Sequence, residues 1–223
     1  MTPSIAALLP MRHASERVPG KNYRELAGKP LYRHVVEALQ GCRRISHIVI
    51  DTDSPSIMDD ASAALPGVLV LERPLHLRDG SIPMNDVLLN DVERVPADLY
   101  LQTHSTNPLL STATIERAID EFLAARPKYD SLFGVTRLQT RLWTADGRAL
   151  NHDPDVLLRT QDLPPVYEEN SCLYLFDGDT LRRRHNRIGD RPMLFEVPRA
   201  EAVDIDEEID WQIVAGLMAG RGS

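Results

Sequence analysis

Little in this chain could staple it together covalently or through a metal. Its 223 residues include two cysteines, Cys42 and Cys172, in unrelated contexts. That excludes a disulfide framework and a cysteine-based metal site, and fits a reducing, cytoplasmic setting. Aromatic residues are only 5%, so the core is expected to be aliphatic. A basic excess is also missing: 25 Lys+Arg face 33 Asp+Glu, for a formal net charge of −8. This balance argues against general nucleic-acid binding, although a few clustered cations could still hold a small anion. No apolar run reaches the roughly 18 residues of a membrane-spanning helix. The start, Met1-Thr2-Pro3-Ser4-Ile5, leads straight into an apolar strand, so no secretory leader is expected.

The chain alternates short apolar runs with helical periodicity. Ile5 to Leu9, His47 to Ile50, Val68 to Leu71, Leu99 to Leu101, Leu132 to Val135, Ser171 to Phe176 and Ala202 to Ile205 read as strands. Between them, Pro30 opens a helix that carries Leu31, Val35 and Leu39 on one face. Ser54-Pro55 is a cap followed by a proline that needs no donor. Met84 to Val95 and Ile115 to Leu123 repeat the helical pattern, and a last helix is expected from Asp206 with Ile209, Ile213 and Leu217 facing inward. This alternation predicts a single α/β domain over residues 1–223, a mostly parallel open sheet with helices on both faces. Residues 137–165 break the rhythm with the turn signals Asp146-Gly147 and Asp153-Pro154, and are expected to protrude.

Ligands of open α/β sheets sit beyond the carboxyl ends of the strands. The segment after the first strand offers Arg12, Ser15, Arg17, Lys21 and Asn22, with a flexible backbone at Gly20. Such cations and donors suit a triphosphate. The order is neither that of a Walker loop nor that of a dinucleotide fingerprint.

The pattern R-x-x-S-x-x-x-P-x-K-N, which starts at Arg12, resembles the signature of the acylneuraminate cytidylyltransferases, with Arg12, Ser15, Pro19, Lys21 and Asn22 matching. Arg17 and Gly20 also fit the related loop of the synthetases for the eight-carbon acid KDO. Ile48 to Asp53 is similar to the family's second strand and S-T-D turn. Glu72-Arg73-Pro74 resembles its R-P turn, which implies an arginine near the nucleotide. Leu101 to Leu109 resembles L-Q-P-T-S-P-L, with Gln102 facing the sugar and His104 a candidate general base. Arg159 to Asn170 is similar to R-R-Q-D-L-P-P-V-Y-R-E-N-G, so Gln161, Asn170 and Tyr174 are expected near the sugar acid. Asp204 and Asp206 match V-D-I-D, which implies a pair of carboxylates for Mg²⁺.

The resemblance implies attack by the sugar's anomeric hydroxyl on the α-phosphorus of CTP, with pyrophosphate leaving. Arg12 and Lys21 would hold the triphosphate. It also implies a homodimer that uses residues 137–165. Two departures bear on the acceptor. Thr160 and Glu168 stand where arginines are expected near the sugar's carboxylate, and Arg159 is the sequence's nearest replacement. Arg17 and Gly20 make KDO or an amino-KDO analogue an alternative acceptor, although the Q-G-D-E-P motif of KDO synthetases is absent. A non-catalytic nucleotide-binding relative is the other alternative.

Overall fold

The computed structural model describes residues 2–15 and 17–221. Strand β1 (Ile5–Met11) is buried along its whole length, as a central parallel strand flanked on both faces must be. A small ribbon, β2 (Glu25–Leu26) and β3 (Lys29–Pro30), leads into α1 (Leu31–Gly41). β4 (His47–Thr52), α2 (Pro55–Ala64) and β5 (Val68–Glu72) follow. Ser54 caps α2 by accepting from the Ile57 amide, with Pro55 in the first turn. Then come α3 (Met84–Arg94), β6 (Leu99–Thr103), α4 (Thr112–Ala125) and β7 (Ser131–Leu138). The chain closes with β8 (Val166–Phe176), α5 (Gly178–Arg184), β9 (Pro192–Glu196) and α6 (Glu208–Arg221).

The main sheet has seven strands in the order β5-β4-β1-β6-β8-β7-β9. Only β8 runs antiparallel to its neighbours, β6 and β7; the other pairings are parallel. The alternation of side chains along each strand divides the core. Ala7 and Leu9 of β1 join α1, α2 and α4 on one face, while Ala6 and Leu8 join α3 and α5 on the other. The expected doubly covered sheet is therefore present.

Three local expectations are corrected. Residues 202–207 form no strand; the segment is irregular, and its Ile205 amide donates to the Thr106 carbonyl at 2.9 Å. The seventh strand is instead β9, whose mixed Pro192–Glu196 pattern carries weak strand character. The last helix begins at Glu208, not Asp206, because Asp210 Oδ2 accepts from the Asp206 and Glu207 amides at 3.0 and 2.7 Å. Its inward face is Trp211 and Val214, which pack on Val18, Leu26 and Leu31, so Ile209, Ile213 and Leu217 remain exposed.

Residues 139–165 form the excursion between β7 and β8. A bridge between Trp143 and Ala149 closes one turn, and Thr160–Asp162 forms a single 3₁₀ turn. Trp143, Leu150 and Leu157 are exposed on it.

Candidate active site

The order of the sheet reverses around β1, which has β4 on one side and β6 on the other. A crevice at such a switch point is where open α/β sheets take ligands. A cleft of about 580 Å³ opens there, walled by the segments that follow β1, β5 and β6 and by residues 203–206. It holds every residue assigned to the nucleotide from the sequence: Arg12, Ser15, Arg17, Lys21, Asn22 and Arg73. It also holds Asp204 and Asp206.

The loop after β1 is fastened at several points. Asp53 Oδ1 accepts from the His13 amide at 2.7 Å, and Ser54 Oγ meets His13 Nδ1 at 2.8 Å. Asp53 thus pins this loop while Ser54 caps α2. Asn22 ties the loop to itself and to the segment after β6: its amide donates to the Arg12 carbonyl at 2.9 Å, and its oxygen accepts from Ser105 Oγ at 2.7 Å. Gly20 turns the chain at φ +66°, a left-handed conformation that favours glycine. Lys21 is buried and donates to the Ile205 carbonyl at 2.5 Å, with Asp206 Oδ1 at 3.5 Å. Arg17 meets the same Asp206 oxygen at 2.8 Å. Lys21 and Arg17 therefore bind the first loop to residues nearly at the other end of the chain, and all three charges face one cleft.

Arg73 is only 2% exposed, yet it lines the cleft. Its Nε contacts both oxygens of the fully buried Asp51 at 3.2 Å. It is thus a buried cation in the cleft wall, not a member of a surface ion pair. Behind it lies Asp91, which burial, and then the charge of Asp51, pushes up to about 8. Asp91 therefore holds its proton at neutral pH; burial raises Asp51 as well, and there the charge of Arg73 opposes the rise.

His104 lines the cleft with Nε2 buried and without a hydrogen-bond partner. Burial, and then the charges of Arg187 and Lys21, push it down to about 4, so the imidazole is neutral. Asp204 is raised, chiefly by burial and also by the charge of Asp206, while a bond from the Thr106 hydroxyl opposes this. Its Oδ1 is buried and unpartnered. Among the described residues no cluster of three or more His, Cys, Asp or Glu could hold a metal ion. Two carboxylates with one orphaned oxygen nevertheless fit Mg²⁺, which keeps several waters and takes further oxygens from phosphates.

The residues expected at the sugar fall into two groups. Gln102 and Tyr174 are register partners on β6 and β8, and Asn170 sits in an irregularity of β8 where the pairing with β7 slips between Phe133 and Val135. Asn170 Nδ2 donates to Thr136 Oγ1 at 3.2 Å. The next residue, Ser171, reaches the cleft from a left-handed conformation at φ +57°. Strain at a bulge that aims a side chain into a site is a recurrent functional feature. Arg159 and Gln161 lie instead in the excursion, exposed, with Arg159 paired to Asp162 at 2.7 Å. None of these five residues lines the cleft itself; the β8 residue that does is Ser171.

Sequence reasoning missed Arg187, which contacts both Gln102 and Tyr174. It also missed the 79–82 loop, which lines the cleft opposite the first loop. Arg187 was masked by the basic run Arg182-Arg183-Arg184, whose members pair with Asp179 and Asp190 at the surface. Nothing in the spacing marked the fourth arginine as different.

The chain is similar to known proteins along nearly its whole length. It is 27% identical to the CMP-N,N'-diacetyllegionaminic acid synthase of Legionella pneumophila, over 96% of each chain. It is 24% identical to the pseudaminic acid cytidylyltransferase of Campylobacter jejuni, over 89% of each. In fold it matches a CMP:2-keto-3-deoxy-manno-octonic acid synthetase complexed with CTP, at a TM-score of 0.73 and 17% identity, with 98% of this chain and 99% of that one covered. The family model described as cytidylyltransferase matches residues 6–213, and the chain belongs to that family.

Proposed function

We propose that this cytidylyltransferase moves CMP from CTP to the anomeric hydroxyl of an acidic, nonulosonate-type sugar and releases pyrophosphate. The observation that carries the reading is the single cleft in which Arg12, Lys21 and Arg73 face Asp204 and Asp206. Clustered cations beside paired carboxylates suit a polyphosphate, and would be poorly matched to a neutral ligand. The relatives named for legionaminic and pseudaminic acids supply the class of acceptor.

In this reading Arg12, Arg17 and Lys21 hold the triphosphate, and Asn22 and Ser15 fix the loop that carries them. Arg73 is preset by Asp51, so little side-chain entropy is lost when phosphate arrives. Asp204 and Asp206 would hold Mg²⁺, which when bound polarises the α-phosphate as a Lewis acid. Arg17 and Lys21 then exchange Asp206 for phosphate oxygens. His104 keeps Nε2 free and neutral, and accepts a hydrogen bond from the attacking hydroxyl. With its basicity lowered this far it orients the hydroxyl more than it stores the proton, which leaves to water or to the departing pyrophosphate. Among the described residues none in the cleft is set up as a covalent nucleophile, so catalysis rests on positioning and on charge stabilisation.

Pyrophosphate release from CTP and Mg²⁺ with sialic, legionaminic, pseudaminic, KDO and amino-KDO acids tests this directly. One acid of the nonulosonate group should support turnover. Arg12→Ala should lower kcat/KM by about 100-fold or more, the scale of a lost charge-assisted contact to a transferring phosphoryl group, with an unchanged melting temperature. CTP binding without release for any acid would sink the acceptor class, and normal turnover by Arg12→Ala would sink the loop's role. Turnover with KDO alone would establish the alternative acceptor.

A further inference from the structure

Arg187 follows α5 and packs against β6 and β8, two interior strands of the sheet. Its amide donates to Asn85 Oδ1 at 3.3 Å, which fixes the backbone against α3, two of whose residues, Met84 and Val87, line the cleft. Its Nη1 donates to Gln102 Oε1 at 2.6 Å. The guanidinium lies over the Tyr174 ring, with Cζ 3.6 Å from the centroid. It is therefore clamped between a β6 side chain and a β8 side chain that face each other in register.

No carboxylate stands within ion-pair distance of it among the described residues. Glu169, whose charge reaches Arg187, is turned to the Tyr174 hydroxyl. Each arginine of α5 itself has a carboxylate partner. A guanidinium taken out of water without a counter-ion is costly, and the cost is recovered when an anion arrives. Arginine carries five N–H donors in a rigid fork that suits a carboxylate bidentately, and one is used on Gln102. Arg187 and its two partners do not themselves line the cleft but lie next to residues that do. The charge of Arg187 reaches His104, a cleft residue, and Ser171 Oγ, at the cleft wall, accepts from the Tyr174 hydroxyl at 3.3 Å.

We propose that Arg187, held by Gln102 and Tyr174, receives the carboxylate of the acidic sugar. It would do the work expected of arginines at the positions taken here by Thr160 and Glu168. Arg159 cannot do so from the exposed excursion, where it is committed to Asp162. The inference rests on the acceptor class proposed above. It also explains why Gln102 faces away from open solvent: its oxygen orients the guanidinium and leaves the remaining N–H groups for the ligand.

The test compares the full-length protein with Arg187→Met and Arg187→Lys, using whichever panel acid the wild type turns over and the C1 carboxamide of that same acid. Arg187→Met should raise KM for the acid by about 30-fold or more, the scale of a charged hydrogen-bonded pair. KM for CTP and the CTP dissociation constant should stay within about twofold, since the nucleotide is held elsewhere. Arg187→Lys, which keeps the charge without the fork, should fall between. The wild type should prefer acid over carboxamide, and Arg187→Met should lose that preference. A merely structural arginine would weaken CTP binding as well and leave the preference intact. That result, or an unchanged acid KM, overturns the assignment while the proposed function stands. A wild type inactive with every panel acid overturns both. If Arg187→Met fails to bind CTP, the Lys variant carries the test: retained CTP binding with an unshifted acid KM overturns the assignment.

Discussion

At the scale of the residue, the active cleft depends on close approach as much as on charge. Among the described residues Arg12 has no ion pair, and its guanidinium lies close against Gly80 of the 79–82 loop. A methyl group added at Gly80 would fall 2.5 Å from Arg12 Nη1, well inside contact distance. The clash is with the far end of a flexible side chain, so the fold can yield and Arg12 must move. Gly80→Ala should therefore weaken CTP binding by about 10-fold, near 1.4 kcal/mol, and leave the melting temperature within about a degree. Titration calorimetry with CTP, paired with a thermal melt, checks this. Unchanged affinity would show that Arg12 finds its place without the glycine. The sequence placed Arg12, Lys21 and Asn22 beyond the end of a parallel strand, where open α/β sheets take ligands, and the cleft lies there. It could not identify Gly80, whose importance comes from a neighbour nearly seventy positions away.

At the scale of the element, the sequence was legible where burial is two-sided. β1, β4 and β6 read as continuous apolar runs, and the Ser54-Pro55 start of α2 is a local chemical signal. It was misleading where one face was decided by tertiary packing. α6 carries apolar residues all around, and Trp211 with Val214 won the core over the Ile209 stripe because Arg24 stacks on Trp211 at 4.2 Å from the side of the first loop. β9 was invisible because Pro192 and Glu196 interrupt its pattern, although an edge strand tolerates both. The excursion was recognised by its turns, and its exposed apolar residues call for an occupant. Leu157 is 89% exposed, beside Val156 and Leu158 at 50% and 44%. We infer that a second copy of the chain covers this surface. Sedimentation equilibrium should give the mass of two chains, and Leu157→Asp with Trp143→Asp should halve it. A single-chain mass for the unaltered protein would overturn the inference.

At the scale of the whole molecule, the site is supported by a buried acid that must stay protonated. Asp91 on α3 is fully buried, and its Oδ2 has no hydrogen-bond partner among the described residues. Burial and the Asp51 charge raise it to about 8, whereas in the unfolded chain an aspartate titrates near 3.9. Between those values the folded state holds a proton that the unfolded state has released, so stability falls as pH rises. Each pH unit in that window costs about 1.4 kcal/mol, and the loss is complete once pH passes the folded value. His104 works in the opposite sense. Its folded value of about 4 lies below the ordinary 6.5, so its contribution is lost as pH falls through that range. The two slopes oppose each other at acid pH, and Asp91 acts alone from pH 6.5 to 8. The unaltered protein's own curve mixes them, but its difference from Asp91→Asn does not. The variant cannot ionise there, and should be more stable by at least about 2 kcal/mol at pH 8, with the gap shrinking toward zero near pH 4. Urea unfolding at half-unit pH steps measures this difference. A gap of the same size at pH 4.5 and at pH 8 would mean that Asp91 is ionised in the folded protein. Arg73 would then face two carboxylates, and would have less positive field to offer a nucleotide.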